Sequence, residues 1–67
     1  MTYMEILATT IRKGDCVLLV QDVNGNWCGK VRLITNVEKL PNGSIFANHR
    51  TGGYTFSRGD KVRIAPR

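Results

Sequence analysis

Cysteine, histidine, carboxylates and long apolar runs are all scarce in this 67-residue chain, and each scarcity narrows what it can do. Two cysteines, Cys16 and Cys28, are too few for a disulfide-stapled secreted scaffold and point to a reducing cytoplasm. With no C-x-x-C pair and a single histidine, His49, neither a zinc site nor another metal centre is expected. The five carboxylates are scattered, so no paired general acid and base stands out. His49 has no serine, cysteine or carboxylate next to it in sequence. Both cysteines fall in predicted strands, where a free thiol packs as a small apolar group. No apolar stretch approaches the ~20 residues of a membrane helix. The N-terminus lacks the basic region and apolar run of a secretory leader. A domain this short buries only about 60% of the surface its unfolded chain exposes, which leaves little room for a deep cleft. The expectation is therefore one domain over residues 1–67, cytoplasmic and off the membrane, non-catalytic and without cofactor or metal.

What the chain does have is a repeated phrase, a basic residue followed by Gly-Asp and an alternating apolar run. It reads Lys13-Gly14-Asp15-Cys16-Val17 and again Arg58-Gly59-Asp60-Lys61-Val62. Glycine accepts positive φ without steric cost, and aspartate can hydrogen-bond nearby backbone to hold a turn. Asp15 and Asp60 are thus expected to anchor turns rather than act as general bases. Each phrase should open a strand.

The same punctuation recurs down the chain. Residues 15–23 alternate as a first strand, and Asn24-Gly25 predicts a tight primed hairpin turn. Residues 27–37 form a second strand with Trp27, Gly29, Val31, Leu33 and Thr35 on the expected buried face. Cys28, Lys30, Arg32, Ile34 and Asn36 fall on the wetter, basic face. This strand exceeds the usual length, so a bend is expected, with Gly29 as its natural place. Pro41-Asn42-Gly43 turns the chain into a third strand over 44–50. Gly52-Gly53 leads to a fourth over 54–57, and the second Gly-Asp phrase to a fifth over 61–64. Tyr54 and Phe56 share a face by alternation, so at least one belongs to the core. Residues 1–11 read as an extended arm that docks on the body or on another subunit. Arg67 reads as a frayed tail. The sum is an all-β chain, a small five-stranded barrel with an N-terminal arm.

Residues 12–37, with the Gly-Asp opening and Gly29-Lys30-Val31-Arg32-Leu33-Ile34, resemble the first hairpin of SH3-like barrels of the KOW and Tudor type. Residues 59–64 resemble their last strand. The resemblance implies an SH3-like fold. KOW modules often bind RNA or the transcription and translation machinery, and Tudor modules hold modified peptides in an aromatic cage. The available aromatics here are Trp27, Tyr54 and Phe56, with Trp27 read as core, so the chain departs from the cage pattern.

The formal charge is +5, and it is uneven. Lys39, Arg50, Arg58, Lys61, Arg63 and Arg67 face only Glu38 and Asp60 in the second half. Such a surplus implies an anionic partner, nucleic acid first. Lys30, Arg32, Arg50, Arg58, Lys61 and Arg63 are the expected phosphate contacts for DNA or RNA, and Tyr54 is a candidate stacking group. The Gly52-Gly53 pair would let a phosphate approach backbone amides. The plain alternative is a solvated face whose charges discourage edge pairing. A competing function is a protein-interaction adaptor, regulator or inhibitor that binds a partner or self-associates through its arm or an edge strand.

Overall fold

The computed structural model describes residues 2–67, and of Lys30 only the backbone. The chain is all-β. Its strands are β1 (Met4–Leu7), β2 (Cys16–Gln21), β3 (Trp27–Lys39), β4 (Ile45–His49), β5 (Gly52–Phe56) and β6 (Lys61–Ile64). They form one antiparallel sheet in the order β1-β6-β2-β3-β4-β5. Among the described residues no ladder joins β1 to β5, so the sheet is open at those two edges. The expected fivefold strand count becomes six because the arm is itself a strand. Met4 to Leu7 pair with Ile64 to Lys61, and Ala8 N–H then donates to Asp60 O at 2.7 Å. A short 3-10 turn at Ala8–Thr10 drives Ala8 and Ile11 into the core.

The two Gly-Asp phrases build the same turn twice. Gly14 has φ +94° and Gly59 φ +90°. Asp15 N–H donates to Arg12 O and Asp60 N–H to Ser57 O, closing two four-residue turns with glycine third, the type II signature. In return Arg12 N–H donates to Asp15 Oδ2 (2.9 Å) and Ser57 N–H to Asp60 Oδ2 (2.8 Å). One local sequence thus satisfies its own backbone twice, ahead of β2 and ahead of β6.

The Asn24-Gly25 hairpin differs from expectation. A type I′ turn needs positive φ at both central residues and a type II′ turn at the first, here Asn24, and among the described residues only glycines have it. Instead Gly25 N–H donates to Asp22 O, and the Asp22 Oδ1 accepts from Asn24 and Asn26 N–H at 2.8 and 2.9 Å. Asp22 organises a turn in which Gly25 alone takes positive φ, at +82°.

The face of β3 is also reversed. Ile34 is 1% exposed, whereas Val31 is 66% and Leu33 58% exposed. The reason lies in the register. Val17, paired with both Arg32 and Ile64, belongs to the core, so Arg32 and Ile34 share its side. The β3–β4 ladder then slips between Ile34 and Asn36, and Val37 pairs with buried Ala47. A bulge at Thr35 therefore lets both Ile34 and Val37 turn inward, although strict alternation would separate them. One bend sits at this bulge, and a second shift in register, between Val17 and Leu19 of β2, falls beside Gly29, which pairs with Leu19. The core unites Ala8 and Ile11 with Val17, Ile34, Ile45, Ala47, Phe56, Val62 and Ile64 from β2 to β6, and Ile6 of β1 and Tyr54 pack against its margin.

The two ends of the chain are pinned together. Arg67 is no frayed tail: its Nη2 donates to Asp15 Oδ2 at 2.9 Å and to Thr10 O at 3.0 Å. Asp15 is nearly buried, and the Arg67 guanidinium holds its carboxyl below the usual aspartate range, against the opposing pull of burial.

Candidate functional site

Beside the Thr35 bulge, β3 and the β4–β5 turn enclose an open cleft of about 590 Å³. It is lined by Val31, Arg32, Leu33, Thr35, His49, Arg50 and Thr51. Among the described residues no carboxylate lines it. Two arginines, a histidine and two threonines line it together with apolar Val31 and Leu33, a lining rich in donors and suited to an anion with an apolar side.

The register positions these groups: pairing with Val17 sets Arg32 on the inner side of β3, and the β4 ladder begins two residues later with Ile34 opposite His49. Thr35 Oγ1 donates to Asn48 O at 3.3 Å, which ties the bulge to β4. The Arg32 Nη1 donates to the Val31 carbonyl at 2.9 Å, while its buried Nε has no hydrogen-bond partner. A buried donor without an acceptor costs about 1–3 kcal/mol, so Arg32 rests in an incompletely satisfied pose. Thr51 N–H donates to His49 Nδ1 at 3.3 Å, and the Thr51 hydroxyl lies 3.2 Å away. With Nδ1 accepting, Nε2 carries the proton of the neutral ring and is the nitrogen left to donate.

The described side chains among the cations expected to form one face are divided among four places. Arg32 and Arg50 share the cleft. Arg63 lies on the outer face, its Cζ 4.1 Å from the Trp27 ring centre and 4.7 Å from that of Tyr3. Arg63 Nε also donates to Glu5 Oε1 at 3.2 Å, so its charge is already engaged. Trp27, expected in the core, is the half-exposed platform for this arginine. Lys61 is exposed next to a smaller hollow that also holds Asp22 and Asp60. Arg58 lies over the β3–β4 turn, since a side chain at Gly43 would meet its Cδ at 2.6 Å. That turn is at the far end of β4 and β5 from Arg50, ~15 Å away at ~3.3 Å per residue. The side chain of Lys30 lies outside the described residues.

Three further expectations concern aromatic, glycine and apolar residues. Tyr54 is half-buried, with His49 at 4.9 Å and Phe56 at 5.4 Å between ring centres. Both neighbouring rings are tilted against it, at 53° and 38°. Gly52 and Gly53 belong to β5, paired with His49 and Asn48. Gly53 is there for packing: a Cβ would stand 2.5 Å from the Phe46 ring. Val31 and Leu33, read as core, are instead the exposed apolar wall of the cleft. Their alternation around Arg32 was visible, but not the side it faces.

Among the described residues no group of three or more His, Cys, Asp or Glu is placed to hold a metal ion. No described helix is long and apolar enough to cross a membrane. No family model, curated protein or solved structure matches this chain.

Proposed function

We propose that this chain is a non-catalytic module that binds DNA or RNA chiefly through phosphates. The observation that carries this reading is the carboxylate-free cleft lined by Arg32 and Arg50. Those two residues are the principal contacts, Arg58 and Lys61 add peripheral charge that steers the anion inward, and Lys30 is a further proposed phosphate contact. Arg63 contributes least, because Glu5 already engages it.

The strands other than β1 are read as an SH3-like barrel. The long bent β3, which serves both β2 and β4, and the Gly-Asp turns before the first and last of these strands support that reading. A reducing cytoplasm fits the thiols. Cys28 pairs with Val20, four residues along β2 from Cys16, and ~13 Å at strand rise is well past the reach of a disulfide.

Titration of labelled DNA and RNA at several salt concentrations tests the proposal. Affinity should fall linearly in log–log form as salt rises, by a slope near −0.7 per phosphate on a single strand. No binding at low salt, or a signal indifferent to salt, rejects it.

A second reading has its own support. Strand β1 leaves one edge unpaired among the described residues, and Tyr3, Met4 and Leu7 are exposed there. An adaptor, regulator or inhibitor would use that edge to add a strand from a protein partner or a second copy. Sedimentation decides the second copy: concentration-dependent mass favours it, and a monomer at every concentration excludes it.

A further inference from the structure

We infer that the cleft between β3 and the β4–β5 turn is a subsite for one nucleotide of a single strand, with the phosphate on Arg32 and Arg50 and the base against Val31 and Leu33. This deepens the nucleic-acid reading and rests on it.

Three observations lead from anion to nucleotide. The first is the division of the lining. Arg32, Arg50 and His49 supply donors, while Val31 and Leu33 are 66% and 58% exposed beside them. A free phosphate would use the donors and leave the apolar wall in water. A duplex turns its charged backbone outward and keeps its base faces stacked, so it would set charge against Val31 and Leu33. A single strand carries a phosphate and an unstacked base face side by side, and both halves of the cleft are then used.

The second is size. About 590 Å³ lies within the range of sites that enclose small organic ligands, and it is too small for a duplex to enter. The third is the state of Arg32. Its Nε is buried without an acceptor and its Nη1 is spent on the adjacent Val31 carbonyl. A guanidinium held this poorly gives up little when it swings onto a phosphate, and the charge-assisted bonds it would form are the stronger kind. His49, oriented by Thr51 through Nδ1, offers its other ring nitrogen as a donor. The base meets an aliphatic wall in this cleft, which is tolerant of base identity and gives little sequence preference.

The test compares four labelled probes at fixed low salt: a short oligothymidylate, its ribo-uridylate counterpart, an abasic strand with the same number of phosphates, and a duplex of equal length. The two base-bearing single strands should bind about tenfold tighter than the abasic strand, the worth of roughly 55 Å² of buried apolar surface. The variant Val31→Ser/Leu33→Ser should bind all single strands like the abasic one, and both sites are exposed enough for it to fold. Arg50→Ala should weaken every probe in similar proportion. If abasic and base-bearing strands bind alike, or the duplex binds tightest, the nucleotide subsite is wrong while nucleic-acid binding stands. If no probe binds, both fall together.

Discussion

Arg63 and Arg32 belong to one sheet, two strands apart, and they are arranged for opposite ends. Arg63 has a carboxylate at 3.2 Å and two aromatic rings against its guanidinium. Arg32 has a backbone carbonyl on one nitrogen, an unpartnered Nε, and a cleft without acids. A satisfied cation ties strands together, here β1 to β6 and to the start of β3. An unsatisfied one is available to a ligand. The net charge treats both alike; their neighbours separate them.

The largest effect that bears on this contrast comes from β3 itself. Ile34→Ala should cost ~2–5 kcal/mol by cavity formation, and Leu33→Ala under about 0.5 kcal/mol, measured by chemical denaturation. Equal costs would mean that Arg32 does not share a side with Ile34, and the contrast would collapse. Next, Arg32→Ala/Arg50→Ala should weaken single-strand binding by at least about tenfold and lower the salt slope by ~1.4, as expected for two lost phosphate contacts. Lys61→Ala/Arg63→Ala should change binding less than about twofold, because Arg63 is already paired. If the outer-face pair matters as much as the cleft pair, the assignment of roles is wrong.

Arg63→Ala alone should cost ~1–2 kcal/mol from two exposed cation–π contacts and a surface ion pair. In a domain this small that lowers the melting temperature by ~5 °C or more. The smallest effect concerns the pin at the chain ends. Arg67 lowers the folded-state pKa of Asp15, so the pair's stabilisation is fully present above the ordinary aspartate value of about 4 and is lost as pH falls through the lower folded value. Stability of the native chain should therefore decline more steeply below about pH 4 than that of Arg67→Ala. Parallel acid curves would show that the pin contributes nothing.

The turns were legible because their chemistry is local. Gly14 and Gly59 supply the positive φ, and Asp15 and Asp60 bond backbone three residues back, with no help from the rest of the chain. Strand positions followed from those turns to within a few residues. Which side of a strand faces the core was a different matter. Val31, Leu33 and Val37 outvote Ile34 on a strict two-residue period, and only a bulge, set by pairing with β2 and β4, reverses the outcome. The cleft was missed for the same reason, since it needs Arg32 and Arg50 brought together across that bulge.

By itself, then, the order of residues determined where the chain extends, where it reverses and how much positive charge it carries, because propensity, φ and ionisation act over a handful of neighbours. Tertiary structure alone decided which cations are neutralised and which stay open. Arg63 meets Glu5 across 58 residues and Arg67 meets Asp15 across 52, and such pairs exist only once strands have chosen their partners and register.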